Sequence, residues 1–186
     1  GVRGVYVWSW SFFVTAACLA WRMQARDERR APARSTPARL AVLAAAVPPH
    51  ASTPLFDVPT VDGMRTTVIE AGAPFDEVVA QVAGVAPTHL VGYATVVGRL
   101  ARATLAGELA IRPSRVSTNS EPLSPEDLAA IRQAWNPVVH NLWGSTEIGV
   151  QAVGCGHGEG LHICEDEVIL ERVDESGAPV GPDEPA

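Results

Sequence analysis

The chain has 186 residues, 47% of them apolar, which is long enough and apolar enough for one globular domain with a sizeable core. Its 14 Lys and Arg against 21 Asp and Glu leave a net charge of -7, which excludes the basic footprint of a general nucleic-acid binder. Three cysteines, an odd number, do not make the framework of a secreted disulfide-rich domain, so the expected compartment is a reducing cytoplasm.

The chain opens at Gly1 without a methionine and closes on Asp183-Glu184-Pro185-Ala186, so an internal piece of a longer protein is expected. Val5 to Trp21 is almost continuously apolar and is followed by Arg22, Arg26, Arg29 and Arg30. It spans about 17 residues where roughly 20 are needed to cross a bilayer, and Ser9, Ser11 and Thr15 interrupt it. A buried strand, Val5 to Trp8, with a helix running from Ser9 or Ser11 to about Arg29 is favoured over a membrane span. A signal peptide is disfavoured because the basic flank follows the apolar run.

Pro32 and Pro37 punctuate a loop, and Arg39 to Val47 reads as a strand that stops at Pro48-Pro49-His50. Thr66 to Ile69 is a short strand candidate. Pro74 to Val82 has the acidic start and apolar spacing of a helix. Thr88 to Val91 is the next buried strand, Tyr93 to Leu109 a helix and Arg115 to Thr118 a strand. Ser124-Pro125-Glu126-Asp127 carries a serine cap, proline at the first helical position and an acid three residues after the cap, so a helix runs from there to about Trp135. Val138 to Trp143 is a strand leading into Gly144. Leu161 to Cys164 and Val168 to Val173 are short strands, with a turn at Ser176-Gly177-Ala178-Pro179.

Strands alternating with helices imply βαβ units. The expected fold is α/β, a largely parallel sheet flanked by helices, with a small β-rich carboxyl-terminal appendage. The expected organisation is one partial domain over 1–186, with an α/β nucleotide-binding core over 1–150 and a β-rich segment over 151–186.

In an open α/β sheet ligands gather at the carboxyl ends of the strands, where Gly144-Ser145-Thr146-Glu147 falls. Trp143 can stack on a base, Gly144 permits close backbone approach, Thr146 can donate to a phosphate and Glu147 can bind magnesium. The bland alternative is a loop with a helix cap. Cys155, His157, His162 and Cys164 form Cys-x-His-x4-His-x-Cys, four zinc-type ligands within ten residues, although the spacing is not that of a standard finger. Cys164 read as core and His157 as a solvated loop residue are the alternatives. Cys18 reads as packing in the apolar helix. His50, beside Ser52 and Thr53, reads as a loop histidine or a pocket residue.

From Val116 to Val180 the order and spacing of Asn119-Ser120-Glu121-Pro122-Leu123, Trp143-Gly144-Ser145-Thr146-Glu147-Ile148-Gly149 and Gly160-Leu161-His162-Ile163 with Glu165-Asp166 resemble the adenylate-forming (AMP-binding) superfamily, most closely its phenylacetate–CoA ligase branch. That family has Gly-Gly-Glu-Pro-Leu, Tyr-Gly-Ser-Thr-Glu-Ile-Gly and Gly-Leu-His-Ile in the same order. From Gly1 to Pro87 the resemblance is loose.

The resemblance implies that a carboxylate attacks the α-phosphate of ATP and that the acyl adenylate then passes its acyl group to the thiol of CoA. It implies nucleotide binding by Ser120, Glu121, Pro122, Trp143, Gly144, Ser145 and Thr146, catalytic roles for Thr146 and Glu147, and magnesium on Glu147. Tyr93 and His50 fall where related ligases line the acid pocket. In some relatives a structural zinc is held by residues matching Cys155 and His162 together with a cysteine pair further along. The implied partners are small molecules, with no nucleic acid and no membrane.

The family's triphosphate loop, its later ribose-binding aspartate and its carboxyl-terminal lysine are not in this sequence, so the chain alone is expected to be inactive. Two departures stand out: Trp143 for Tyr keeps the stacking and loses the phenol's hydrogen bond, and Asn119-Ser120 for paired glycines adds bulk near the nucleotide. They leave room for a non-catalytic descendant of the fold that binds a metal or a partner protein. A protein anchored through Val5 to Trp21 is a third reading.

Overall fold

A computed structural model describes residues 38–45, 65–145, 148–154 and 160–181. The strand and helix expected between Val5 and Arg29 lie outside the described residues, as does the whole apolar run to Trp21.

The sheet begins with β1 (Arg39–Ala44), a run of apolar residues buried from Ala41 onward. Its neighbours are β2 (Arg65–Glu70) and β3 (His89–Tyr93), both parallel to it. β4 (Arg115–Asn119) and β5 (Val138–Ser145) extend the parallel sheet on the β3 side. Beyond β5 the direction reverses: β6 (Gly149–Val153) and β7 (His162–Ile163) pair antiparallel, giving the order β2-β1-β3-β4-β5-β6-β7. The α/β architecture with a β-rich end is therefore the one expected.

Among the described residues three helices connect the parallel strands. α1 (Phe75–Val85) carries Asp76 and Glu77 in its first turn, where the partial positive charge of a helix start favours them. α2 (Ala94–Leu105) turns Val97, Leu100, Ala101 and Ala103 inward. α3 (Pro125–Trp135) starts as its sequence predicts, with Ser124 Oγ accepting from Asp127 N at 3.0 Å. The carboxylate reciprocates by accepting from the Ser124 hydroxyl at 2.9 Å instead of reaching back to the capping amide.

The core is one cluster between these helices and the sheet, with Leu43, Ile69, Leu90, Leu100, Val116 and Ile131 at its centre. Two close approaches set its geometry. A Cβ on Gly92 would come within 2.6 Å of Leu43 Cβ on the neighbouring strand, and one on Gly98 would collide with the Asp127 carboxylate of α3. α2 and α3 thus pack at glycine distance. Asp127 is buried there and is neutralised by Arg102 Nη2 at 2.8 Å, while Trp135 Nε1 donates to Thr104 Oγ1 at 3.1 Å.

Several expectations need correction. The helix from Tyr93 ends at Leu105, four residues before Leu109, because Gly107 takes φ +81° and the amides of Gly107 and Glu108 turn back to the carbonyls of Thr104 and Ala103. That pattern terminates a helix at a glycine which the apolar spacing does not register. Val168 to Val173 forms no strand; its last residue makes one bridge, to Pro179. Cys164 lies outside the two-residue β7. The strand at Gly149–Val153 was not anticipated, and β5 runs two residues past Trp143.

Candidate functional site

The carboxyl ends of β1, β3, β4 and β5 lie along one edge of the sheet, where register brings the singled-out residues together. Tyr93 is opposite Asn119 on β4, and Thr118 is opposite Asn141 on β5. Two residues beyond this second pair come Ser120 and Trp143, so both leave the sheet at the same edge. Thr118 is fully buried and its hydroxyl donates to Asn141 Oδ1 at 3.0 Å, which ties the two strands just below that edge. Tyr93 Oη accepts from the Ala45 amide at 3.3 Å, so the ring of this acid-pocket candidate lies over the end of β1.

The turn after β4 is strained. Ser120 takes φ +63°, a left-handed conformation that favours glycine, and its hydroxyl donates to Asn119 Oδ1 at 3.2 Å. Glu121 has a definite partner: its Oε2 accepts from Thr95 N at 2.9 Å and from Thr95 Oγ1 at 2.7 Å. It therefore caps the first turn of α2, where the free amides and the helix dipole favour a carboxylate. This contact pins the Asn119–Pro122 turn to the start of α2, next to Tyr93. Pro122 is exposed.

The motif at Trp143 proves to be the rising arm of a hairpin. Trp143, Gly144 and Ser145 continue β5 and pair with Ala152, Val150 and Gly149 of β6, with a bulge between Trp143 and Gly144 that leaves Gln151 as the extra residue. A Cβ on Gly144 would collide with the Gly149 carbonyl oxygen, so the close approach this glycine permits within the chain is that of its own hairpin. The Trp143 ring is 44% exposed, available for stacking on the open side. Ser145 Oγ accepts from Gln151 Nε2 at 3.2 Å and from Ile148 N at 3.4 Å.

Thr146 and Glu147 lie outside the described residues, as do His50, Cys155 and His157. His162 is exposed on β7 and Cys164 follows it two residues on, with its amide donating to the Gln151 carbonyl at 2.8 Å. Burial pushes the Cys164 thiol up from its usual value, and the nearby charges of Asp166 and Glu167 add to the shift, so the thiol stays protonated at neutral pH. Among the described residues no three of His, Cys, Asp and Glu gather as a metal-binding group. Among the same residues no helix is long and apolar enough to cross a membrane.

Sequence reasoning missed Thr95, Asn141 and Gln151. For Gln151 a signal was present, since an amide flanked by Val150 and Ala152 in an apolar run must find a partner once buried. Thr95 and Asn141 gave none, because their roles come from strands and turns distant in sequence.

A mostly parallel sheet flanked by helices defines the class as an open α/β fold. Among solved structures the same fold is found in CoA ligases. One is a 2-hydroxyisobutyryl-CoA ligase in complex with 2-HIB-AMP and CoA, at a TM-score of 0.57 and 18% identity, covering 78% of this chain and 36% of that one. Others are a benzoate CoA ligase from Burkholderia xenovorans LB400 (TM-score 0.54, 19% identity, 80% of this chain and 31% of that one) and a long-chain-fatty-acid-CoA ligase from Archaeoglobus fulgidus (0.52, 13%, 87% and 36%). The chain thus spans about a third of the length of these ligases, and at such identities the likeness is one of fold. No protein-family model matches the sequence, and no curated protein matches it.

Proposed function

We propose that the chain is part of an ATP-dependent acid–CoA ligase of the phenylacetate–CoA ligase type, contributing the nucleotide side of the active site. In this reading residues 1–150 supply the nucleotide-binding core and 151–186 a β-rich extension. The whole enzyme activates a carboxylic acid as an acyl adenylate, releasing pyrophosphate, and transfers the acyl group to CoA with release of AMP. The observation that carries the reading is the convergence of Tyr93, the Asn119–Pro122 turn and Trp143–Ser145 at one sheet edge, in a fold shared with CoA ligases.

In this assignment Trp143 stacks on the adenine and the Ser120–Pro122 turn borders its ribose side. Ser145 and Thr146 hold phosphate oxygens, while Tyr93 and His50 face the acid. The protein's work is positioning, which converts an encounter of acid and ATP into an effectively unimolecular attack. Glu147 would hold magnesium, which offsets charge on the phosphates when bound. The hydroxyl oxygen of Ser120 and the amide oxygen of Asn119 suit a hard cation that keeps several of its waters. Zinc on Cys155 and His162 belongs to the same proposal, as does a cytoplasmic location.

Pyrophosphate release by the full-length protein, given ATP, magnesium and a panel of aromatic and aliphatic acids, tests the assignment. Release that depends on one class of acid is the expected result, and none with any acid would overturn it. Ser120 favours one second reading, a non-catalytic descendant, because it places a side chain in a left-handed turn where the pattern this sequence resembles has glycine. A protein of that kind would release no pyrophosphate.

A further inference from the structure

Gln151 is 9% exposed and sits at the bulge of the β5–β6 hairpin, where Trp143 pairs with Ala152 and Gly144 with Val150. A bulge re-aims the side chain of its extra residue. Here Gln151 Nε2 reaches Ser145 Oγ, the last residue of β5, at 3.2 Å. The Ile148 amide approaches the same oxygen at 3.4 Å.

A serine hydroxyl has two acceptor positions and one hydrogen to donate. With both acceptor positions taken by N–H groups of the chain, what Ser145 has left to offer is its hydrogen. Ser145 is itself exposed, beside Trp143 at the carboxyl edge of the sheet. A donor fixed in that position suits an oxygen that only accepts, such as a phosphoryl oxygen, and rejects a group that needs an acceptor.

We propose that Gln151 is a positioning residue that sets Ser145 as an obligate hydrogen-bond donor to a phosphoryl oxygen of the bound nucleotide. This rests on the ligase reading and adds to it a role for a buried side chain outside the recognised motif.

In the full-length protein, Gln151→Glu keeps the shape and replaces the N–H donor with an acceptor that captures the Ser145 hydrogen. AMP binding by calorimetry and ATP–pyrophosphate exchange are the readouts. Gln151→Glu should weaken AMP binding and raise KM for ATP by roughly tenfold to a hundredfold, the range for a hydrogen bond to a charged group, with KM for the acid unchanged. Gln151→Met removes the donor without adding an acceptor and should give a smaller loss of the same kind. Ser145→Ala should match Gln151→Glu, and the double variant should lose no more than either alone.

Nucleotide parameters like those of wild type in both Gln151 variants, or additive losses in the double variant, would overturn the role of Gln151 and leave the ligase reading intact. A loss of acid and nucleotide affinity together would mean a merely structural part for Gln151, and would overturn the proposal in the same way. Wild-type protein that neither binds AMP nor exchanges pyrophosphate would overturn both.

Discussion

The α2–α3 face and the β5–β7 end of the sheet differ in how their side chains are partnered. Across the helix pair most of the large apolar groups are closed off, Leu105 excepted, and the buried Asp127 carboxylate accepts from the Ser124 hydroxyl and from Arg102. At the other end Trp143, Ile148, Leu161, Ile163, Ile169 and Leu170 all stand substantially exposed. There, order comes from backbone pairing and a few polar clamps, Ser145 with Gln151 and Asp174 with Ser176. The difference teaches a division of labour: the first region fixes where the strand ends lie, and the second leaves the side chains beyond them open to the surroundings.

The largest test of that division removes bulk from each region. Leu90, fully buried on β3, should cost about 2–5 kcal/mol when changed to alanine, because a closed core relaxes only partly around the cavity. Ile169, 92% exposed, should change stability by no more than about 0.5 kcal/mol under the same substitution. Urea midpoints at constant slope measure both. Similar losses would mean that the exposed end is packed in the folded protein and that the contrast is false.

A smaller effect is expected where the two regions meet. Ser120 at φ +63° carries about 1–2 kcal/mol of left-handed strain, against a greater entropy loss of about 0.5–1 kcal/mol for glycine. Ser120→Gly should therefore stabilise by up to about 1 kcal/mol in the same urea experiment. A loss of stability would indicate that the Ser120–Asn119 hydrogen bond outweighs the strain, and that the departure from glycine at this turn serves the fold.

The same division explains what the sequence disclosed. In the helical region, local chemistry decides structure: the Ser124 cap and Pro125 start α3 where they should, and apolar runs mark β1 and β3. The end of α2 was overshot because apolar spacing continues through Leu109 while Gly107 stops the helix. At the open end the governing contacts are non-local. Gly149-Val150-Gln151-Ala152-Val153 is too short, with a glycine and an amide in it, to stand out as a strand, and it becomes one by pairing with a β5 that outruns Trp143. Residues of the candidate site were legible as a motif; the supports of that motif, Gln151 and Thr95, depend on a bulge and on a neighbouring turn that no spacing encodes.

The smallest effect sits furthest from the core. Between Val173 and Pro179, where the sequence predicts a turn at Ser176 to Pro179, one exposed carboxylate gathers the chain beside two backbone hydrogen bonds. Asp174 Oδ1 accepts from Ser176 Oγ at 2.6 Å, Ser176 N at 2.8 Å and Ala178 N at 2.9 Å. The hydrogen bond from the Ser176 hydroxyl, followed by that from the Ala178 amide, holds this carboxyl below the usual aspartate range, since each favours the charged form. A folded-state pKa below the unfolded one means that the contribution to stability is complete above the ordinary value of about 3.9 and is lost as pH falls through the lower, folded value. Neutral conditions therefore leave the turn unaffected. A carboxyl-carbon NMR titration should place the Asp174 midpoint below that of a free peptide in the native protein, and Ser176→Ala should move it upward. An unmoved midpoint would show that the backbone amides alone hold the turn.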